Sequence, residues 1–323
     1  MSSVTLPRVV SVVIGTRNRP DTLRVALASI RALEGPDLTF QILVGDNGTT
    51  PETPGVVAEF GGIYGKTEVY GCPAARNVAM AKITGEFIAF LDDDDVWLPG
   101  HIRPQVAFLD ANSDYQAVFG QIVSTDENLN PAGAAWPETL PTDGNMFHTM
   151  MSGYFPQVGG TVTRRAMLEK CGLMDEGLIG DSDWDWQLRI ASQYKIGFVL
   201  VPCVLFRQRK KGTFNKLQMK RVAYTRRIFF RHAKPNRKRW KNPIAMWRSY
   251  FGSAESYYDY FVDTASDRAL RGERWAAMKA VASAVYIFPT RAMRTLLGKT
   301  QLRNALLAAL SPMPAPKRKE ASS

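Results

Sequence analysis

Four consecutive aspartates, residues 92–95, follow an apolar segment and precede a Val-Trp-Leu-Pro segment. Clustered carboxylates repel one another, and a divalent cation relieves that repulsion. Mg²⁺ and Mn²⁺ prefer oxygen ligands and commonly join one or two carboxylates to the phosphates of a substrate. A solvated acidic turn would explain a bare run of aspartates equally well. The position at the end of a predicted strand favours a metal and phosphate site.

A second acidic segment, residues 181–185, begins a predicted helix. The helix dipole favours acids such as Asp183 and Asp185 in the first turn, and this alone accounts for their presence. The functional alternative is that one carboxylate acts as a general base toward a hydroxyl group. Arg76 and Asn77, near the start of another predicted helix, offer fixed donors for a nucleotide base or phosphate, although a surface arginine is the commoner case.

Short apolar segments alternate with helical patterns in the first half of the chain. Strands are predicted at residues 9–14, 40–44 and 87–91, and helices at 21–33 and 74–83. This alternation predicts an α/β fold with a mostly parallel sheet and helices on both faces. Ligands of such sheets bind beyond the carboxyl ends of the strands, so the segments that follow the three strands should converge on one edge.

The second half of the chain shows weaker patterns. Residues 128–160 are rich in Pro and Gly and predict a long loop region. Helices are predicted at residues 164–170 and 183–192, and a late strand at 197–201. From residue 216 onward the pattern is helical almost to the end of the chain.

The net charge of +11 is unevenly distributed. Residues 1–206 contain 14 Lys and Arg against 24 Asp and Glu, whereas residues 207–250 contain 16 basic residues and no acidic one. The three cysteines, Cys72, Cys171 and Cys203, have no metal-type spacing and predict reduced thiols in a cytoplasmic protein. No export signal and no membrane-spanning segment are predicted.

Several motifs occur in a fixed order: SVVIGTRNRP at 11–20, VGDNGT at 44–49, ARN at 75–77, GEFIAFLDDDDVWLP at 85–99, CGLMDE at 171–176 and GDSDWD at 180–185. Together they resemble glycosyltransferase family 2 over residues 8–210. The resemblance implies the GT-A fold and an inverting, metal-dependent transfer of a sugar from a nucleotide-sugar donor.

The resemblance also implies roles for individual residues. Those that would bind the donor nucleotide are Thr16, Arg17, Asn18, Asp46, Arg76 and Asp92. Among them, Asp46 matches the aspartate that binds the base, usually uracil, which implies a UDP-sugar. Asp92 and Asp94 match the DxD motif, with Asp94 holding Mg²⁺ or Mn²⁺ and Asp92 facing the ribose and the metal shell. Asp183 matches the catalytic base.

Two positions depart from the family pattern. Ser182 stands where the family often has Glu, directly before the base. After the late strand, where many members have a His that helps to bind the metal or the diphosphate, this chain has Arg207 and Arg209. These two arginines could hold the donor diphosphate electrostatically.

The predicted domain division is a GT-A domain at 1–210, a helical basic extension at 211–311 and a tail at 312–323. Three interpretations of the basic, aromatic-bearing residues 207–250 compete. They bind an anionic membrane surface, they bind nucleic acid, or they are solvated helix faces whose aromatics pack on the catalytic domain. A glycan or lipid-linked glycan acceptor favours the membrane, at its cytoplasmic face, and no nucleic acid is expected.

Two rival functions remain at this stage. A nucleotidyltransferase also combines a parallel sheet with paired aspartates, but it usually has a Gly-rich basic loop after the first strand, where this chain has Thr16-Arg17-Asn18-Arg19. A non-catalytic nucleotide- or carbohydrate-binding module is the other, and the presence of both Asp94 and Asp183 argues against it.

Overall fold

An eight-stranded sheet forms the centre of the computed structural model, which describes residues 7–139, 144–154, 156–208, 217–298 and 300–310. The strands are β1 (Arg8–Thr16), β2 (Leu38–Asp46), β3 (Ile63–Lys66), β4 (Phe87–Phe90), β5 (Val96–Trp97), β6 (Tyr115–Thr125), β7 (Thr161–Arg164) and β8 (Lys195–Arg207). They lie side by side in the order β3-β2-β1-β4-β7-β6-β8-β5.

The first half of this sheet is parallel. β1 pairs with β2 and β4, and β2 pairs with β3, all in parallel. Thr16 pairs with Asp46, so β1 and β2 end at the same level. Val13 pairs with Phe90, which places the aspartate run just beyond the same edge. The predicted convergence of the three strand ends is therefore confirmed.

The second half of the sheet is mixed. β7 runs antiparallel to both β4 and β6, β6 pairs with β8 in parallel, and the short β5 runs antiparallel to β8. The α/β class is confirmed, but the helix predicted from Arg164 begins only at Ala166, because Arg164 ends β7. β8 continues to Arg207, well beyond the predicted strand at 197–201.

The helices lie on both faces of the sheet and in a C-terminal group. Those of the first two thirds are α1 (Pro20–Arg31), α2 (Thr53–Glu59), α3 (Cys72–Met80), α4 (Arg103–Ala111), α5 (Phe147–Met151), α6 (Ala166–Cys171) and α7 (Ser182–Ala191). Those of the C-terminal group are α8 (Leu217–Ala233), α9 (Pro243–Leu270), α10 (Arg274–Ile287), α11 (Pro289–Leu297) and α12 (Gln301–Leu310).

Alternate residues of β1 supply the cores on the two faces of the sheet, as the period of a strand requires. Val12 packs in the core that contains α1, whereas Val13 packs in the core that contains α3. The second of these cores also includes Phe229 of α8 and Tyr250 of α9. Hydrophobic packing is therefore continuous across residue 210, and the domain division at that residue stays a prediction.

A third core joins α9, α10, α11 and α12 around Tyr258, Phe261 and Ile287. Across the described residues, every helix is either too short or too polar to cross a membrane.

Candidate active site

A cleft of about 290 Å³ opens at the edge of the sheet where β1 and β4 end. Six described segments form its walls: the turn after β1, Asn47 after β2, the residues around the start of α3, the aspartate run, the residues that lead into α7, and one side chain of α8. The predicted site residues that line it are Thr16, Arg17, Arg76, Asp92, Asp94 and Asp183.

Arg76 reaches the cleft because α3 lies directly on the sheet. A Cβ at Gly45 of β2 would overlap the carbonyl oxygen of Ala75, so only glycine allows this approach. The Arg76 side chain is 4% exposed, and its Nη2 donates to Oδ1 of Asp92. α3 thus holds the guanidinium group of Arg76 beneath Asp92, the first aspartate of the run.

Asp92 lies among one arginine and two further carboxylates. Burial raises its pKa, the Arg76 charge lowers it, and the carboxylates of Asp94 and Asp183 raise it again, with a net rise. Gln157 Nε2 approaches the other oxygen of Asp92 at 3.4 Å. Negative charge is therefore concentrated where a cation would be favoured.

A single arginine, Arg19, joins the next two aspartates. Its Nη1 donates to Asp93 Oδ1 at 3.0 Å and to Asp94 Oδ2 at 2.9 Å. Asp93 is buried and also accepts a hydrogen bond from Thr16 Oγ1 at 2.8 Å. Burial raises the pKa of Asp93 to about 6, against the lowering effect of Arg19. Asp93 thus ties the run to the end of β1.

Asp95 and Arg207 fasten the run from behind. Asp95 Oδ1 accepts from the backbone N–H of Arg207 at 2.8 Å, and burial together with the charge of Asp92 raises the pKa of Asp95. Arg207 Nε donates to the carbonyl oxygen of Asp94 at 2.6 Å. Arg207 is thus not among the residues that line the cleft. Arg209 lies outside the described residues.

The turn after β1 is held by Asn18. Its φ of 56° is a left-handed conformation that Asn tolerates better than most residues. Asn18 Oδ1 accepts from the backbone N–H groups of Thr49 at 2.6 Å and Thr50 at 3.1 Å. Asn18 therefore joins the turns after β1 and β2, and the neighbouring Arg17 faces the cleft with its guanidinium 4.8 Å from the ring centre of Tyr70.

Asp46 lies behind the cleft wall. It is completely buried, and its two oxygens accept from Gly48 N at 2.6 Å and from the Tyr64 hydroxyl at 2.9 Å. The next residue, Asn47, lines the cleft instead and donates from Nδ2 to the carbonyl oxygen of Gly71 at 2.8 Å. The assignment of Asp46 to the base stays a prediction. Sequence reasoning missed Asn47, although it lies inside the motif.

Asp183 projects from the first turn of α7 into the cleft. The residue before α7 begins, Asp181, has a φ of 61° and turns the chain sharply into the helix. Asp183 Oδ1 accepts from the backbone N–H of Trp184 at 2.9 Å, which orients the carboxylate. The acid predicted as the base and the aspartate pair predicted to hold the metal therefore line one cleft.

The C-terminal helices complete the cleft beside Asp183. Tyr257 of α9 donates to Asp181 Oδ1 at 2.7 Å, and Arg221 of α8 approaches the same oxygen at 3.7 Å. Arg221 itself lines the cleft. Burial raises the pKa of Asp181, although Arg221 and Tyr257 oppose the rise. Sequence reasoning missed Arg221, because nothing separates it from the other basic residues of the segment.

Asp185 anchors α7 to α8. It is buried and contacts Arg231 Nη1 and His232 Nε2, both at 3.0 Å, and Arg189 Nη2 at 3.2 Å. Burial acts to raise the pKa of Asp185. The hydrogen bond from His232 and the charges of Arg189, His232 and Arg231 outweigh that effect, so the pKa is lowered. Of the three acids in 181–185, Asp185 is the one outside the cleft.

The donor set in the cleft suits a hard cation. Asp92 and Asp94 offer carboxylate oxygens, the ligands that Mg²⁺ and Mn²⁺ prefer when substrate phosphates and water complete the shell. Within residues 7–139, 144–154, 156–208, 217–298 and 300–310, no group of three or more His, Cys, Asp or Glu could hold a metal ion alone.

The family model described as glycosyl transferase family 2 matches residues 11–172. The chain belongs to glycosyltransferase family 2. This family 2 chain is 27% identical to an uncharacterized glycosyltransferase of Methanocaldococcus jannaschii, over 77% of this chain and 87% of the relative. It is 31% identical to the Escherichia coli UDP-Glc:α-D-GlcNAc-diphosphoundecaprenol β-1,3-glucosyltransferase WfgD, over 32% of this chain and 42% of that one.

Solved structures confirm the predicted GT-A fold for the family 2 chain. Staphylococcus aureus TarS 1–349 in complex with UDP-GlcNAc superimposes with a TM-score of 0.61 at 15% identity, over 94% of this chain and 89% of that one. The mannosyltransferase PcManGT from Pyrobaculum calidifontis, in complex with GDP-Man and Mn²⁺, gives a TM-score of 0.51 at 19% identity, over 94% and 86%.

Proposed function

We propose that this family 2 chain transfers a sugar from a nucleoside diphosphate sugar, specifically a UDP-sugar, to an acceptor hydroxyl with inversion. The observation that carries the proposal is the shared cleft. Asp183, the aspartate pair Asp92 and Asp94, and the cations Arg17 and Arg76 all line it. A general base, a cation site and donors for phosphate are the groups that such a transfer requires.

Asp183 acts as the base in the proposed reaction. It accepts the proton of the acceptor hydroxyl while that oxygen attacks the anomeric carbon from the face opposite the diphosphate. The new glycosidic bond forms as the bond to the diphosphate breaks, so a single displacement inverts the anomeric configuration. Positive charge develops on the sugar ring in the transition state, as in other glycosyl chemistry.

The remaining cleft residues bind the donor in this proposal. Arg76 is fixed by Asp92 beneath the site, and Arg17 contacts Tyr70 at its mouth. A Mg²⁺ or Mn²⁺ ion held by Asp92 and Asp94 would neutralise the diphosphate and improve it as a leaving group. The complexes of TarS with UDP-GlcNAc and of PcManGT with GDP-Man and Mn²⁺ support this class of donor and metal.

A lipid-linked glycan is the proposed acceptor. The names of the Escherichia coli relative and of a Campylobacter jejuni relative, 30% identical over 37% of this chain, specify diphosphoundecaprenol or PP-undecaprenol acceptors. Such acceptors lie at a membrane, which is consistent with the proposal that residues 207–250 contact an anionic membrane surface from the cytoplasmic side.

Donor hydrolysis over a panel of nucleotide sugars tests the proposal. We expect one UDP-sugar, with Mn²⁺, to release UDP faster than the other donors, and Asp183→Asn to abolish transfer to added acceptor. Release of pyrophosphate from a nucleoside triphosphate and sugar phosphate would instead establish a nucleotidyltransferase. Donor binding with no turnover under any condition would establish a binding module.

A further inference from the structure

α8 has two faces of different character. Thr225, Ile228, Phe229 and His232 are buried against the family 2 fold. The opposite face carries Ala223, Arg226, Arg227 and Phe230. Together with Lys234, the residue after the helix, it forms a groove with Tyr286 of α10. This groove, of about 510 Å³, is separate from the donor cleft, since the two share no lining residue.

Among the described basic residues of 207–250, two sets differ in their contacts. One set serves the fold, because Arg231 binds Asp175 and Asp185, and Arg239 Nη1 donates to the carbonyl oxygen of Ser192 at 2.9 Å. The second set is exposed and, within the described part of the chain, makes no ion pair. It consists of Lys234, Arg237, Lys238, Lys241 and Arg248. Arg226 and Arg227 of α8 are exposed as well, so they face solvent together with the second set.

The groove concentrates positive charge. Arg226 Nη1 donates to the Tyr286 hydroxyl at 3.0 Å, which holds its guanidinium at the groove. Arg227 is 3.4 Å from Asp175, a carboxylate that Arg231 approaches more closely at 2.6 Å. Neither α8 nor α10 contains an acidic residue. Three like charges in one groove repel, and a phosphate between them would relieve the repulsion.

The rim of the groove is apolar and exposed. Trp247 of α9 packs against Phe230 with 5.7 Å between ring centres, and it remains 44% exposed. Ile244, one turn earlier on the same helix, is 66% exposed, and Tyr286 on the other side is 56% exposed. Tryptophan and tyrosine beside lysine and arginine are typical of surfaces that contact the boundary between lipid headgroups and acyl chains.

We propose that the groove formed by Arg226, Arg227, Lys234 and Tyr286 binds the phosphate of an anionic lipid headgroup, with Trp247 and Ile244 entering the membrane interface beside it. The inference rests on the membrane contact within the proposed function, but not on the catalytic chemistry. An aliphatic side chain such as Ile244 gains from insertion among lipids and gains nothing from a nucleic-acid backbone, which favours a membrane.

Vesicle sedimentation of the full chain tests the site. We expect binding to phosphatidylcholine vesicles that contain phosphatidylglycerol, no binding to pure phosphatidylcholine, and loss of binding at high salt. Removal of two cations in Arg226→Ala/Lys234→Ala should lower the partition coefficient roughly 30-fold. The matched control Arg165→Ala/Lys170→Ala removes the same charge from exposed residues at α6 and should bind as the wild type does.

An uncharged variant tests the apolar rim. Ile244→Ser should lower the partition coefficient roughly fivefold, since the side chain would be only partly buried in the interface. All variants should retain donor hydrolysis, which shows that they are folded. The inference is overturned if the groove variant binds vesicles like the wild type, or if the Arg165/Lys170 control loses as much binding as the groove variant. It is also overturned if Ile244→Ser has no effect on vesicle binding, or if the protein binds single-stranded RNA more tightly than vesicles. If the wild-type chain hydrolyses no nucleotide sugar but binds the vesicles as expected, the catalytic proposal is rejected and the lipid-binding proposal stands.

Discussion

The two acidic segments that meet at the cleft, residues 92–95 and 181–185, are anchored from different parts of the chain. Arg19, Arg76 and Arg207 hold the first segment, and all three precede the C-terminal helices in the chain. The second segment depends on Tyr257 and His232 of the C-terminal helices. The described anchors of the first segment thus come from the sheet and α3 region, whereas the segment that carries Asp183 is held by α8 and α9.

Asp183→Asn should give the largest effect, because it removes the proton acceptor and keeps the shape of the second segment. We expect transfer to fall by roughly a thousandfold or more, the upper range for loss of a general base. Donor affinity, measured by calorimetry, should be unchanged, because the first segment is intact. Near-normal turnover would remove Asp183 from the mechanism.

Asp185→Asn should instead affect stability, since Asp185 is the buried anchor between α7 and α8. Loss of a partner from a buried ionic cluster costs about 3 kcal/mol of unfolding free energy, measured by urea denaturation. The folded pKa of Asp185 lies below its ordinary value of 3.8. The difference in unfolding free energy between wild type and variant should therefore be complete above pH 3.8. It should vanish as the pH falls through the lowered pKa of Asp185. A difference that grows in acid would contradict this role.

Asp94→Ala should weaken donor binding and leave the contacts between α7 and α8 unchanged. We expect donor affinity in the presence of Mn²⁺ to fall about tenfold, on the order of 1.4 kcal/mol, with little change when the metal is absent. Calorimetry with and without Mn²⁺ measures both. Asp93→Asn is the control, because Asp93 is bound by Thr16 and Arg19. This variant should lower the unfolding free energy of the protein but leave the Mn²⁺ dependence of donor affinity unchanged. Equal loss with and without metal would exclude Asp94 as a ligand.

Tyr257→Phe should have the smallest effect and tests the link between α9 and the second segment. Removal of one hydrogen bond costs about 1 kcal/mol, and we expect a several-fold loss of turnover because Asp181 leads directly into Asp183. Tyr258→Phe is the matched control, since its hydroxyl bonds Thr295 within the C-terminal helices. If both variants reduce turnover equally, α9 contributes stability alone.

The α/β class and the convergence of three strand ends were predictable, because alternating apolar strands and amphipathic helices are local patterns. β3, β5, β6 and β7 were not predicted. β5 has only two residues, and β7 is followed so closely by α6 that its end merged with the helical pattern. The long loop predicted at 128–160 contains the short helix α5, whose five residues are too few for a clear period.

The sequence by itself determined the family and the order of its motifs, and it predicted the acids Asp92, Asp94 and Asp183 as site residues, because these depend on residue types at close spacing. Only the tertiary structure decided that Asp46 is buried behind Asn47, that Arg207 supports the aspartate run from outside the cleft, and that Arg221 enters it. It also decided which basic residues of 207–250 remain exposed. Those outcomes depend on contacts between segments that lie tens to more than a hundred residues apart in the sequence. Such contacts are set by the packing of helices, which no local sequence pattern encodes.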